Sequence, residues 1–294
     1  MSGWDTSDIP DQSGRTFIVT GANSGLGAAT TRALVAAGGR VIMACRDEVK
    51  ARAVADTLGA GAVVRRLDLA DLGSVREFAE SVEPVDVLIN NAGVMAVPLR
   101  RTADGFEMQF GTNHLGHFAL TGLLLDKVRE RVVTVASGAH HYGKLDLSDL
   151  NWEHRRYNRW AAYAQAKLAN LICAYELQRR LTAAGSPKLS VASHPGYAAT
   201  ELQSHTESFL DTIMALGNRI LGQTPEMGAL GTLYAATVPD VDPGGYYGPT
   251  GWRGLRGHPV RCGSSAASRD EVTARRLWDQ CEQLTKVTYH FDRR

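Results

Sequence analysis

Short apolar runs alternate with helix-forming stretches along most of this chain. Residues 15–20 are rich in β-branched and aromatic side chains. Further apolar runs occupy 41–44, 62–66, 85–90, 131–136 and 189–193, with a shorter one at 245–247. Helix-forming segments separate them: 25–37, 47–58, 72–81, 106–128, a long helix within 157–184, and 225–236. The apolar runs are nearly continuous in Val, Ile and Leu, as strands covered on both faces are. Parallel neighbours need a crossover, so this alternation predicts βαβ units. The expected fold class is α/β: one doubly wound, Rossmann-like domain over 1–294, with a mostly parallel seven-stranded sheet and helices on both faces.

Composition narrows the function. Hydrophobic residues make up 44% and charged residues 21% of 294, which excludes a disordered or low-complexity chain. Lys+Arg at 32 against Asp+Glu at 31 leaves no basic excess for nucleic acid. No apolar stretch predicts a membrane span, and neither end shows a secretory or lipidation signal. Cys45, Cys173, Cys262 and Cys281 fall in no metal-ligand or disulfide spacing, so core thiols in a reducing cytoplasm are expected. The 30 glycines exceed average usage, and their positions carry information.

Gly21, Gly25 and Gly27 lie between the first strand and the first helix, in Thr20-Gly21-Ala22-Asn23-Ser24-Gly25-Leu26-Gly27. A pyrophosphate seeks free N–H groups at a helix N-terminus, and glycines let it approach the backbone. Taken alone, these glycines also suit an ordinary strand–helix turn. Their place on the first βα unit points to a dinucleotide. Arg46 lies 19 residues past Gly27, after the second strand, where a guanidinium suits a ribose 2′-phosphate. This predicts NADP(H) in preference to NAD(H). A solvated surface Arg46 is the alternative, and Asp47 could pair with it or serve the ribose. Tyr163 and Lys167 are four apart, on one helix face. A nearby ammonium lowers a phenol pKa, so this pair suits general acid/base work on a carbonyl or alcohol. Ser137 ends the fifth strand, where doubly wound sheets bind ligands, and its hydroxyl can orient a substrate oxygen. A turn-capping serine is its alternative.

These motifs, with Asn90-Asn91-Ala92-Gly93 after the fourth strand and Pro195-Gly196 with Thr200 after the sixth, resemble those of the short-chain dehydrogenase/reductase family, in its retinol-dehydrogenase-like and protochlorophyllide-reductase-like branch. The branch resemblance lies in residues 113–118, 139–141 and 167–170. It implies strand order 3-2-1-4-5-6-7. It implies catalytic Asn113, Ser137, Tyr163 and Lys167, with Asn113 supporting a proton relay. Cofactor contacts implied are Gly21, Asn23, Ser24, Gly25, Leu26, Gly27, Arg46, Asp68, Leu69, Asn90, Ala92, Gly93, Tyr163, Lys167, Pro195, Gly196 and Thr200. Asp68 would meet the adenine, or equally cap the 72–81 helix. The implied substrate is a small apolar aldehyde, ketone or alcohol; a non-catalytic NADP(H) sensor is the alternative.

Other segments read as surplus to a minimal domain: an extension over 1–13, an insertion over 140–159, an apolar substrate lid over 201–224, and a C-terminal tail. The insertion leaves monomer and homo-oligomer both open. Its polar run 153–159 reads as a solvated loop or helix start, with contact to an acidic substrate or partner as the alternative. His114 and His117 share a helix face without a nearby carboxylate or cysteine in sequence, and read as packing residues, with no metal site expected. His140 and His141 read as loop residues near the site entrance.

Overall fold

The computed structural model describes residues 3–196, 223–251 and 254–291. Among these, one sheet contains eight strands: β1 Thr16–Thr20, β2 Arg40–Cys45, β3 Ala62–Arg66, β4 Val85–Asn90, β5 Val128–Val135, β6 Leu189–Ser193, β7 Tyr246–Pro249 and β8 Pro259–Arg261. Their order is β3-β2-β1-β4-β5-β6-β7-β8. β1 to β7 pair in parallel, and β8 runs antiparallel on the edge beside β7. The eighth strand corrects the expectation of seven. It is three residues long, starts at a proline and leaves Val260 and Arg261 exposed, so no apolar run marks it. An edge strand tolerates both features.

The helices are α1 Gly25–Ala36, α2 Glu48–Ala55, α3 Leu72–Ser81, a composite rod α4, α5 Arg159–Ala183, α6 Pro225–Thr237 and α7 Glu271–Thr285. Rod α4 joins Met108–Phe110, a π-helical turn Gly111–Leu115, and Gly116–Leu124. It ends short of the predicted residue 128, because Val128 pairs with Val85 and opens β5.

Successive side chains of a strand face opposite sides of the sheet. Phe17, Val19, Val87 and Ile89 therefore pack with α1, α2 and α6 on one face. Ile18, Leu88 and Val132 pack with α3, α4, α5 and α7 on the other. The predicted C-terminal tail is thus core. Ala274, Leu277, Trp278 and Cys281 of α7 are fully buried, and Trp278 meets Phe118 edge-on with ring centres 4.9 Å apart. The N-terminal extension also packs down: the Trp4 ring sits 5.2 Å from Tyr234 on α6.

The polar run 153–159 leads into the helix start expected of it, with Asn158 capping α5, and its inner members are anchored. The Arg155 guanidinium stacks 3.7 Å from the Trp152 ring centre and pairs with Asp149 at 3.3 Å. The Tyr157 hydroxyl donates to buried Glu107 at 2.9 Å. Glu153, His154, Arg156 and Asn158 are the exposed members of that run.

Candidate active site

Strand order reverses between β1 and β4, and a cleft of about 280 Å³ opens beyond their carboxyl ends. Its floor is the glycine turn. Gly21 has φ +65°, a conformation that glycine adopts without strain. A Cβ at Gly27 would stand 2.1 Å from the Gly21 carbonyl oxygen, so only a bare backbone closes this turn. Ser24 occupies the N-cap of α1, yet its side chain caps nothing, and the first turn carries no acid. The leading amides of α1 thus remain open to an anion, where the helix dipole favours one.

The turn is tied to β4 through Thr20. Its hydroxyl oxygen accepts from the Asn91 and Ala92 amides, both at 2.9 Å, and Asn91 Nδ2 returns a bond to the Thr20 carbonyl at 2.8 Å. The Thr20 oxygen also lies 2.9 Å from His117 Nε2. His117 Nδ1 lies 3.0 Å from the Asn113 carbonyl, which can only accept. That fixes the tautomer: Nδ1 carries the proton, and Nε2 accepts the Thr20 hydroxyl proton. Burial holds His117 down to about 3, so it is neutral. Its ring nitrogens meet Thr20 and Asn113, whereas those of His114 meet Asn170 and Cys281. Asn113 sits in the π turn, fully buried, with Oδ1 accepting from Val94 N at 2.7 Å and Nδ2 donating to Val94 O at 2.8 Å. One side chain therefore clamps the segment following Gly93, and a Cβ at Gly93 would press to 3.1 Å from Asn113 Oδ1.

Asn23, Ser24, Gly25, Leu26, Arg46, Asp68, Leu69, Ala92 and Gly93 line this cleft with Gly21 and Gly27. Asp68 does not cap α3; Asp71 does, accepting from Gly73 and Ser74. Asp47 does not pair with Arg46: it caps α2 through the Lys50 amide at 3.0 Å, and it too lines the cleft. Arg46 is exposed and forms no ion pair among the described residues. Lys50, one turn further on, also lines the cleft and is absent from the residues expected there; the signal for it is a second cation four residues after Arg46. The Asn90 side chain turns inward, donating to Thr121 at 2.8 Å, and does not line the cleft. Pro195 and Gly196 follow β6 outside its lining, while Thr200 and residues 201–222 of the expected lid lie outside the described residues.

The second group gathers beyond β5 and on α5. Asn158 caps α5, accepting from the Trp160 and Ala161 amides, and buried alanines let the helix lie close to its neighbours. Tyr163 and Lys167 emerge one turn apart, Nζ 5.9 Å from the phenol ring centre, and both are buried. Ser137 caps the turn Gly138–Tyr142 by accepting from the Ala139 amide at 3.1 Å, and its side chain also faces the Tyr163 phenol. Burial pushes the Tyr163 phenol up, and the neighbouring Ser137 hydroxyl partly opposes this. Lys167 Nζ donates to the Val135 carbonyl at 2.9 Å, and burial outweighs the lowering expected from a neighbouring ammonium. Lys167 itself is pushed down to about 8 by burial.

His140 lies beneath Ser137 and is buried, which corrects its reading as an entrance residue; His141 beside it is exposed. His140 Nδ1 faces the Ser137 carbonyl at 2.7 Å and Nε2 receives the Ser265 amide at 3.2 Å. A carbonyl only accepts and an amide N–H only donates, so the ring is neutral with its proton on Nδ1. His114 also differs from expectation: α5 and α7 bring Cys173 and Cys281 beside it.

Fold and site together define a doubly wound, Rossmann-like protein with a Ser–Tyr–Lys cluster at the carboxyl edge of its sheet. The family model described as short chain dehydrogenase matches residues 15–210. Human retinol dehydrogenase 13 is 44% identical over 289 residues, covering 92% of this chain and 84% of its own. Mouse polyprenol dehydrogenase is 40% identical over 298 residues, covering 94% and 85%. The crystal structure of an uncharacterised protein from Mycobacterium paratuberculosis is similar at TM-score 0.87 and 50% identity, over 98% of this chain and 100% of that one. The chain belongs to the short-chain dehydrogenase/reductase family, in its retinol-dehydrogenase-like branch. No helix among the described residues is long and apolar enough to cross a membrane.

Proposed function

We propose that this protein interconverts an apolar aldehyde or ketone and its alcohol with NADP(H). The observation carrying the reading is Ser137 facing the buried Tyr163 phenol with Lys167 one turn away, beside a glycine-floored cleft. A nicotinamide bound along that cleft supplies or accepts the hydride. Ser137 holds the substrate oxygen toward Tyr163, and Tyr163 gives its proton to the forming alkoxide. A phenol kept protonated by burial suits the acid role, and Lys167 supplies a cation behind it as charge develops. Asn113 keeps the segment after Gly93 in register through both atoms of its amide.

Arg46 and Lys50 at the cleft support a 2′-phosphate, and hence NADP(H) over NAD(H). Relatives named for retinol and polyprenol support an apolar substrate, as do Phe209, Leu210, Ile213 and Met214 in the proposed lid. The free thiols Cys45, Cys173, Cys262 and Cys281 support a reducing compartment such as the cytoplasm. The test is NADPH oxidation over a panel of apolar aldehydes and ketones. Turnover abolished by Tyr163→Phe supports the reading. Silence across the panel, with NADPH demonstrably bound, favours a sensor instead.

A further inference from the structure

Between α4, α5 and α7, away from the cleft, His114, Cys173 and Cys281 converge in the core. All three are buried, and His114 Nε2, Cys173 Sγ and Cys281 Sγ lie within 4.8 Å of one another. We propose that these three atoms bind one zinc ion.

Distance, orientation and charge at these atoms all fit zinc. The first is distance. Arms of about 2.3 Å to sulfur and 2.0 Å to nitrogen, at a tetrahedral angle, separate N and S by about 3.6 Å. The two Nε2–Sγ separations are 3.2 and 3.8 Å, on either side of that value. The second is orientation. His114 Nδ1 lies 2.9 Å from Asn170 Oδ1, which accepts its proton and leaves the Nε2 lone pair toward the two sulfurs. Zinc-bound imidazoles are held by such an outer partner. The third is charge. Binding expels one proton from each thiol, so Zn²⁺, two thiolates and a neutral imidazole sum to zero. A neutral cluster is tolerated among Phe110, Phe118 and Trp278, which surround His114 and one another. Cu⁺ on the same ligands would leave one uncompensated negative charge there.

A small cavity of about 30 Å³ borders His114 and Cys173. That volume accommodates a water, which would complete four-coordination. Asn90 also borders it, and its Oδ1 has no partner among the described residues; a zinc-bound water can donate to such an acceptor. The ion would join three helices and attach α7 to the body of the fold. It would also fix the π turn one residue from Asn113.

The test uses the full chain expressed in zinc-supplemented medium and purified without chelator. Metal content is measured by plasma emission, and the Tm is followed before and after chelation. The expected result is about one zinc per chain, lost in Cys173→Ala and Cys281→Ala, retained in Cys262→Ala, with a lower Tm after chelation. Should the variants not fold, Co²⁺ exchanged into the wild-type chain must show thiolate-to-cobalt charge-transfer absorption. Wild-type protein that binds neither zinc nor cobalt overturns the proposal. So does zinc that survives both cysteine substitutions, or a zinc-free chain recovered with a Cys173–Cys281 disulfide.

Discussion

Lys167 is required by the proposed chemistry and costly to the fold, and the two roles separate experimentally. Burial pushes its ammonium down to about 8 from 10.5. At 1.36 kcal/mol per pKa unit, holding the charge inside costs about 3 kcal/mol at neutral pH. The bond from Nζ to the Val135 carbonyl at 2.9 Å returns about 1 kcal/mol. Lys167→Met keeps the apolar stem, removes both effects, and is expected to stabilise the cofactor-free protein by about 2 kcal/mol at pH 7. The sign follows from proton counts. Between about pH 8 and 10.5 the unfolded chain holds a proton that the folded chain has released, so wild-type stability rises with pH across that window. The variant's advantage must therefore shrink above pH 8 and reverse beyond 10.5, where only the lost hydrogen bond remains. Urea melts of both proteins from pH 7 to 10.5, with NADPH oxidation in parallel, make the measurement. A variant less stable than wild type at pH 7, or one whose advantage ignores pH, refutes the reasoning.

Tyr163→Phe keeps the ring but removes the transferable proton; kcat should fall by at least about 10²-fold with the urea midpoint nearly unchanged. Arg46→Ala should lower the NADPH-to-NADH ratio of kcat/KM by about tenfold, and Lys50→Ala should act in the same direction; an unchanged ratio in both removes the case for a 2′-phosphate site. His117 and His194 are held by burial at about 3 and about 4, below the 6.5 of the unfolded chain. Each takes up a proton on unfolding near pH 5, so stability is lost as pH falls below about 6.5, at about 2.7 kcal/mol per pH unit for the pair. Melts at pH 7, 6 and 5 that coincide would show that these imidazoles are not buried neutral.

Much of this architecture is legible because the relevant signals are local. The bounds of β3, β4, β6 and α3 match their apolar runs and helical period residue for residue, and the four-residue spacing of Tyr163 and Lys167 is enough to place both side chains on one helix face. What is not legible depends on packing between distant segments. Helix α7 buries positions 274, 277, 278 and 281, a helical spacing present in the sequence, but nothing local tells a packed terminal helix from a tail. The glycines of α4 signal irregularity without its form: a Cβ at Gly116 would strike the Leu69 carbonyl at 2.3 Å, a contact set by the loop after β3. His114, Cys173 and Cys281 meet only because three helices converge. The direction of the Tyr163 shift differs from expectation for a related reason. Spacing shows that a cation is near but not how deeply the phenol is buried, and burial sets the direction.

The buried polar network behind the cleft explains why its two halves can act as one site. Thr20 belongs to the glycine turn, Asn91 and Ala92 to the end of β4, and Asn113 and His117 to α4. Each donor in this set has an acceptor: two amides to the Thr20 oxygen, the Thr20 hydroxyl to His117, His117 to the Asn113 carbonyl, and Asn113 Nδ2 to Val94. A protonated His117 would have no acceptor for its second proton except the hydroxyl oxygen already receiving two amides. The network therefore admits one protonation state and one tautomer. Moving the glycine turn by an ångström would strand at least one buried donor, at a cost of about 1–3 kcal/mol. Satisfied networks of this kind resist small displacements. The glycine turn and the helix carrying Asn113 are thereby kept in fixed register, as the proposed hydride transfer across a short gap requires.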